Sequence, residues 1–387
     1  MNAKSVIRLI NLSLILALFT SCSTTFDVYS PGENLSALTK ITDGEDICEY
    51  PQGGDNGRNL FFTVRDKRNL ARNVYKKDDP LAVSMIQKTG GRNNNTAPYY
   101  CVATDRLAFG SRQQGAFTKD IYMIDVTQGN ALMQITNTPD ANEDYPCVSR
   151  NGRYIVYDLN STGSLTTSQV WVKDTQTGET TMLGLGFTPK FSPDERTIVF
   201  VRCTTDAESR CVWLMNRDGS NQVQLTDAKM GAVHCPSFSP DGSKIVFSCQ
   251  KRQKKDVDLY VIDRNGNNLT QLTINKSYDG MPYWANDGNI YFSSDRGGRS
   301  GNYQIWRFKY GGASSSFAPV PAPSTPYQGT PSTPQYSSQT TYHQVVSGET
   351  ITQIAQKYGI TVRDIVKWNG LQTMTLKAGT RLKVSPQ

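Results

Sequence analysis

Residues 36–310 are built from short apolar runs, each closed by a turn. Tyr154-Ile155-Val156-Tyr157, Thr197-Ile198-Val199-Phe200, Ile245-Val246-Phe247 and Ile290-Tyr291-Phe292 are too short for helices and rich in β-branched and aromatic residues, so they read as strands. A turn precedes each of them, most clearly Ser239-Pro240-Asp241-Gly242, where proline fixes φ at the second position and glycine accepts the exit geometry. The Asp or Asn of that turn recurs at Asn56, Asp105, Asn151, Asp194, Asp241 and Asp287, at intervals of 49, 46, 43, 47 and 46 residues. Five positions earlier stands Pro51, Pro146, Pro189, Pro236 or Pro282, while the second copy has Tyr100. A third strand is legible in copies two to six, for example Ile121-Tyr122-Met123-Ile124 and Leu259-Tyr260-Val261-Ile262. A fourth ends in Gln134-Ile135-Thr136, Gln224-Leu225-Thr226 or Gln271-Leu272-Thr273. Four antiparallel strands at this period predict an all-β, six-bladed β-propeller. The sixth copy stops after three strands, at Phe308, and Leu38-Thr39-Lys40-Ile41-Thr42 has the fourth-strand pattern. It is expected to complete blade six, leaving no unpaired edge in the ring.

The period changes at the end of the chain. Val345-Val346 reads as a strand, and Ile351, Ile354, Ala355 and Tyr358 follow helical spacing after Thr350. Ile365, Val366 and Trp368 do the same after Thr361, Gly359 and Gly370 stop the two helices, and Leu382 and Val384 alternate as a closing strand. This small α+β (βααβ) unit over 342–387 resembles the LysM module, and the resemblance implies binding of N-acetylglucosamine polymers such as peptidoglycan. It also implies a shallow groove between the loop Gly348, Glu349, Thr350 and Ile351 and the loop Asn369, Gly370, Leu371 and Gln372. Ile351 and Leu371 could contact the sugar face or equally belong to the core.

The propeller repeats, with their Pro-x-x-Ser-Pro-Asp-Gly hairpins and Gln-Leu-Thr endings, resemble the propeller of the TolB family of the bacterial Tol–Pal system. The resemblance covers about residues 36–310, and the N-terminal α/β domain of that family has no counterpart here.

At the other end, Lys4 and Arg8 precede an apolar run from Leu9 to Phe19 that is too short to span a membrane but fits a secretory signal. Thr20-Ser21-Cys22 resembles a lipoprotein lipobox, which implies cleavage after residue 21 and lipidation of Cys22. Ser23 in the next position favours the outer membrane, facing the periplasm. The expected organisation is a signal peptide at 1–21, a lipidated tether at 22–35, the propeller at 36–310, a linker at 311–341 and the LysM unit at 342–387. Six prolines between Pro319 and Pro334 make the linker extended, with a reach of roughly 90 Å at about 3.1 Å per residue.

Charge sharpens this division. The chain is +7 overall and +5 without Lys4 and Arg8, of which the last forty-six residues hold +4. The propeller is therefore near neutral, which gives nucleic-acid binding no electrostatic support, while a basic module suits an anionic wall polymer. Eight cysteines fit an oxidising compartment. Strand register predicts bridges Cys203–Cys211 and Cys235–Cys249, with buried free thiols as the alternative for any one cysteine, and leaves Cys48, Cys101 and Cys147 unassigned.

No metal, cofactor or catalytic residue is predicted. The chain has two histidines, His234 and His343, no C-x-x-C pair, no Gly-x-Ser-x-Gly elbow and no phosphate-binding glycine loop. The recurring Asp and Asn residues read as turn formers, and Trp171, Trp213 and Trp306, equivalent in three blades, as inter-blade core. The functional expectation is a non-enzymatic envelope lipoprotein that binds peptidoglycan, with its propeller as a protein-docking scaffold. The alternative is a wall-remodelling enzyme or the regulator of one.

Overall fold

The computed structural model describes residues 27–28, 33, 35–53, 58–113, 115–127, 131–204, 207–252, 254–311, 342–346, 349, 351, 354, 358, 365, 368–369, 371 and 376–384. The expected signal peptide at 1–21, Cys22 and residues 312–341 of the expected linker lie outside them. The chain divides into two compact units, residues 1–324 and 325–387.

The larger unit is a six-bladed propeller of four-stranded antiparallel blades. Their inner strands are Ile47–Gly53, Asn94–Cys101, Asn142–Val148, Phe187–Phe191, Ala232–Phe238 and Asp279–Trp284. Each blade presents apolar side chains to the next. One cluster joins Val156 and Val170 of blade three to Phe191, Ile198 and Phe200 of blade four, with Trp213 packed against it. Trp306 is buried between blades five and six, beside Leu259 and Val261. Trp306 is core as expected, whereas Trp171 and Trp213 are half-buried and pack against the edges of the clusters.

Ser36–Lys40 pairs antiparallel with Gln304–Lys309 and supplies the fourth strand of blade six. The ring thus closes with a strand from its own beginning. The threonine that ends each such segment shows why this one, closing in Lys40-Ile41-Thr42, has the fourth-strand pattern. In blades one, two, four and five the threonine hydroxyl accepts the N–H of a third-strand residue: Val74 to Thr89 (2.8 Å), Ile121 to Thr136 (2.8 Å), Val212 to Thr226 (2.9 Å) and Leu259 to Thr273 (2.9 Å). Thr42 does the same for Ile305 (2.8 Å), although it lies some 260 residues away in the chain. The motif terminates the outer ladder by satisfying a backbone donor that would otherwise be buried unpaired.

Blade one's two outer strands, Arg72–Lys77 and Ile86–Gln87, escaped the sequence reading. Gln87-Lys88-Thr89 is the signal that could have located them, with a lysine in place of the usual leucine.

The recurring turn residues are engaged as turn residues. Asp241 accepts from Ser239 Oγ (2.6 Å) and Ser243 N (3.1 Å), and Asn151 accepts from Ser149 Oγ (2.8 Å) and Arg153 N (3.0 Å).

The expected disulfides are not made, and all seven cysteines from Cys48 to Cys249 are free. Cys203 lies directly opposite Arg210, and Cys211 opposite Arg202, so the two thiols project to opposite faces of the sheet. Cys249 pairs with Val233, and a bulge between His234 and Ser237 carries Cys235 towards the axis instead. Register counted from the turn alone missed that bulge.

The expected tether at 22–35 is held to the propeller where it is described. Arg296, whose side chain is wholly buried, donates to Asp279, to Glu33 (3.1 and 3.2 Å) and to the carbonyl of Val28 (3.0 Å). Asn275 Nδ2 adds a bond to the Asp27 carbonyl (2.9 Å).

The second unit contains a two-stranded sheet, Tyr342–Gln344 with Arg381–Lys383. Ile351, Ile354, Tyr358, Ile365, Trp368 and Asn369 are helical. Val345, Ile351, Ile354, Ile365, Leu382 and Val384 form its core, with Trp368 and Leu371 packed against it.

Candidate functional site

The candidate sites are the propeller's axis and, in the small unit, the loops expected to form the groove. The axis is shaped by one device used six times. Every inner strand carries a bulge, and in every bulge a residue at positive φ precedes a proline. These residues are Tyr50, Ala97, Tyr145, Thr188, Cys235 and Met281, with φ between 48° and 55°. Proline has no N–H to donate, so it fits where the ladder is interrupted, and the bulge re-aims the side chains beside it. The second copy obeys the rule after all, with Pro98. Tyr99 pairs with Ala108 as Cys147 pairs with Val156, so the hairpin has its usual length. The turn position in blade two is therefore Ala103, and the marker Asp105 sits two residues beyond it.

The six residues before the prolines surround a constriction of about 40 Å³. Tyr50 and Tyr145 meet there at 3.0 Å between hydroxyls, joining blade one to blade three. The six residues after the prolines, Gln52, Tyr99, Cys147, Lys190, Ser237 and Tyr283, line a wider funnel of about 470 Å³. Its rim is made by the first hairpin turns of the blades, including Arg150, Ser192, Glu195, Ser239 and Asn286. Gly53 and Tyr283 close the seam between blades one and six. The tyrosine hydroxyl donates to the Gly53 carbonyl (3.2 Å), and a Cβ on Gly53 would lie 2.7 Å from the ring.

Lys190 is the charge at the neck, lining both constriction and funnel. Its ammonium lies 4.9 Å from the centre of the Tyr99 ring. Burial lowers its pKa, against the pull of neighbouring thiols and of Asp158 and Asp144. Neither acid neutralises it directly. Asp144 is bound to Lys119 at 2.5 Å, and burial, then Asp144, pushes Asp158 up to about 8. On the far side of the bulges the charged groups are partnered: Glu49 with Arg72, Asp144 with Lys119, and Asp279 with Arg296. His234, half-buried, has its Nδ1 at 3.1 Å from Arg210, and loss of solvent with that neighbouring charge pushes its pKa down to about 3.

In the small unit, Gly348, Thr350, Gly370 and Gln372 of the expected groove lie outside the described residues. The other four have visible tasks. The Glu349 carboxylate accepts from Val346 N (3.0 Å) and lies 2.7 Å from His343 Nε2. Ile351 is 4% exposed and part of the core. Asn369 clamps the closing strand, donating to the Lys383 carbonyl (2.9 Å) and accepting its N–H (2.7 Å). Leu371, half-buried at the core's edge, keeps part of its surface free.

Fold and site together define a two-part protein, a closed β-propeller joined to a small LysM-like fold. Comparison with known proteins agrees on both parts. The TolB β-propeller domain family matches residues 187–357, and the LysM domain family matches residues 343–385. The chain thus carries a TolB-like propeller and a LysM domain. A TolB of Agrobacterium tumefaciens superposes with a TM-score of 0.51 at 18% identity, over 71% of this chain and 97% of that one. TolB of Acinetobacter baumannii gives 0.54 at 15% identity, over 66% of this chain and 65% of that one. "Probable endopeptidase p60" of Listeria monocytogenes is 37% identical over 67 residues, 17% of this chain. The matched stretch spans 13% of that relative's length.

Proposed function

We infer that this protein is a cell-envelope lipoprotein, anchored at the outer membrane through Cys22, that binds the N-acetylglucosamine polymer of peptidoglycan through residues 342–387. The propeller serves as a docking platform for another envelope protein. The observation that carries this reading is the pairing of the LysM domain, with its +4 charge, and a closed propeller of near-neutral charge in one chain. The contacts of Asn275 with Asp27 and of Arg296 with Val28 support anchoring close to the membrane, because these residues lie only five and six positions after Cys22 and are already held against the propeller.

Sugar recognition falls to the backbone of the 348–351 and 369–372 loops and to the free edge of Leu371. Glycines at 348 and 370 let the polymer approach the main chain. Ile351 and Asn369 hold that groove in shape rather than contact the ligand.

The full chain should sediment with insoluble peptidoglycan, and a chain ending at residue 341 should not. Changing Gly370 and Leu371 to glutamate should abolish sedimentation while the domain stays folded. Retention of the truncated chain on the wall would refute the assignment. Cys22→Ala should move the protein from membranes to the soluble envelope fraction, and unchanged membrane association would refute the anchor.

A second reading is a wall-cleaving enzyme or its regulator, and the short stretch shared with a probable endopeptidase favours it. Release of soluble fragments from purified peptidoglycan by the isolated chain decides for it.

A further inference from the structure

The neck of the funnel holds a cation with nothing to answer it. Among the described residues Lys190 has neither an ion-pair nor a hydrogen-bond partner, only the face of Tyr99. Lys190 is half-buried at the narrow end of the funnel, and an ammonium held there without an anion of its own is a natural partner for an anionic ligand. The position is built rather than incidental. Six blades place the residue after the bulge proline on the axis, and five of those six, Gln52, Tyr99, Cys147, Ser237 and Tyr283, carry no charge at neutral pH. The funnel's volume of about 470 Å³ falls within the roughly 300–1,000 Å³ of small-ligand sites, and its walls combine aromatic faces with a few hydroxyl and amide groups, as such sites do.

We propose that this funnel is a binding site for an elongated small ligand that ends in a carboxylate, with the carboxylate seated against Lys190 and the body lying along Tyr99 and Tyr283. The size and charge of the neck select this chemistry. The space of about 40 Å³ that Lys190 helps to line accepts a group of a few atoms, given that one water needs about 10–15 Å³ on this measure. A single lysine balances a monoanion. A phosphate would call for a second cation or an arginine fork, and the nearest arginine on the wall, Arg150, is at the rim, where its backbone N–H is bound to Glu195. Tyr50 and Tyr145, whose hydroxyls meet at 3.0 Å, narrow the axis beside Lys190, which favours a terminal carboxylate over one in mid-chain. A short peptide's C-terminus and a sugar acid share this chemistry.

Calorimetric titration of the full chain tests the proposal with three probes: N-acetyl-trialanine, its C-terminal amide and D-glucuronic acid. None contains N-acetylglucosamine, so the outcome is independent of wall binding. The free peptide acid should bind at least tenfold more tightly than the amide, and Lys190→Met should remove that difference without changing the unfolding midpoint. Glucuronate binding that is lost in Lys190→Met supports the site and assigns it to sugar acids. Absence of binding by both acids, or binding that Lys190→Met leaves unchanged, overturns the proposal. Should the variant fail to fold, equal affinity of wild type for acid and amide, with no glucuronate binding, overturns it equally well.

Discussion

Arg296 offers the sharpest test of how the amino-terminal segment is held. Its guanidinium is wholly buried, as are the carboxylates of Asp279 and Glu33 beside it. Nε and Nη2 engage Asp279 at 3.2 and 2.5 Å, while Nη1 and Nη2 engage Glu33 and the Val28 carbonyl. Arg296→Met keeps most of the volume but leaves two carboxylates facing each other out of water. Removing one member of such a buried group typically costs about 3–5 kcal/mol. Two features place the cost near the lower end. Asp279 retains hydroxyl donors from Ser277 (3.1 Å) and Ser294 (2.5 Å), and Glu33 can leave with its segment into solvent. Urea unfolding should therefore show a loss of about 3 kcal/mol. Hydrogen exchange should show residues 27–35 released below the main transition. Asp279→Asn with Glu33→Gln in the Arg296→Met background should recover much of the loss, because no buried charge then stands alone. Arg68→Met, at an exposed ion pair with Asp66, is the control and should leave the midpoint unmoved. If Arg296→Met behaved like Arg68→Met, or left residues 27–35 equally protected, the account of a buried ionic latch would be wrong.

Three further expectations follow from the packing. Thr42→Val leaves the Ile305 N–H buried without an acceptor and should cost about 1–3 kcal/mol, as should Thr273→Val at the equivalent place in blade five. A loss in blade five but none at Thr42 would mean that the ring is not closed by its own first strand. Asp158 binds its proton more tightly when folded, with a pKa raised to about 8 by burial and then by Asp144. The folded state thus holds one proton more than the unfolded state between about pH 4 and pH 8, so this group makes stability fall as pH rises through that window. Asp158→Asn should remove that slope, on the order of a few kcal/mol across the window, and identical pH–stability curves for variant and wild type would refute the shift. Finally, Cys48, Cys235 and Cys249 are pushed up to about 12 and Cys211 to about 11 by burial, so alkylation of the native protein should be slow at neutral pH. In denaturant without reductant all seven cysteines should react, and a mass two units low after unfolding would mean that a bridge exists.

The repeat, the blade number and the closing strand were legible in the sequence because each rests on local chemistry. A Ser-Pro-Asp-Gly turn and a Gln-x-Thr ending satisfy backbone groups a few bonds away, so evolution can write them as short words. The LysM domain was legible for the same reason, from two helical periods between two strands. What the sequence left open depends on where side chains project after a bulge. A bulge shifts register by one residue and so exchanges the two faces of a strand, which no count from the turn reveals. That is why Cys235 was assigned to a bridge with Cys249 and lies instead on the axis, and why Pro98 hid behind a turn marker displaced by two residues. The same step puts Lys190 in the neck of the funnel. Cys235 and Lys190 each sit beside a proline that the repeat had already marked, yet only six blades brought around one axis make those positions a ring. The Arg296 latch is more distant still, joining residues more than 260 positions apart. Local sequence chose the strands and turns, and closure of the circle decided which side chains share a site, since the residues that meet on the axis have no proximity along the chain.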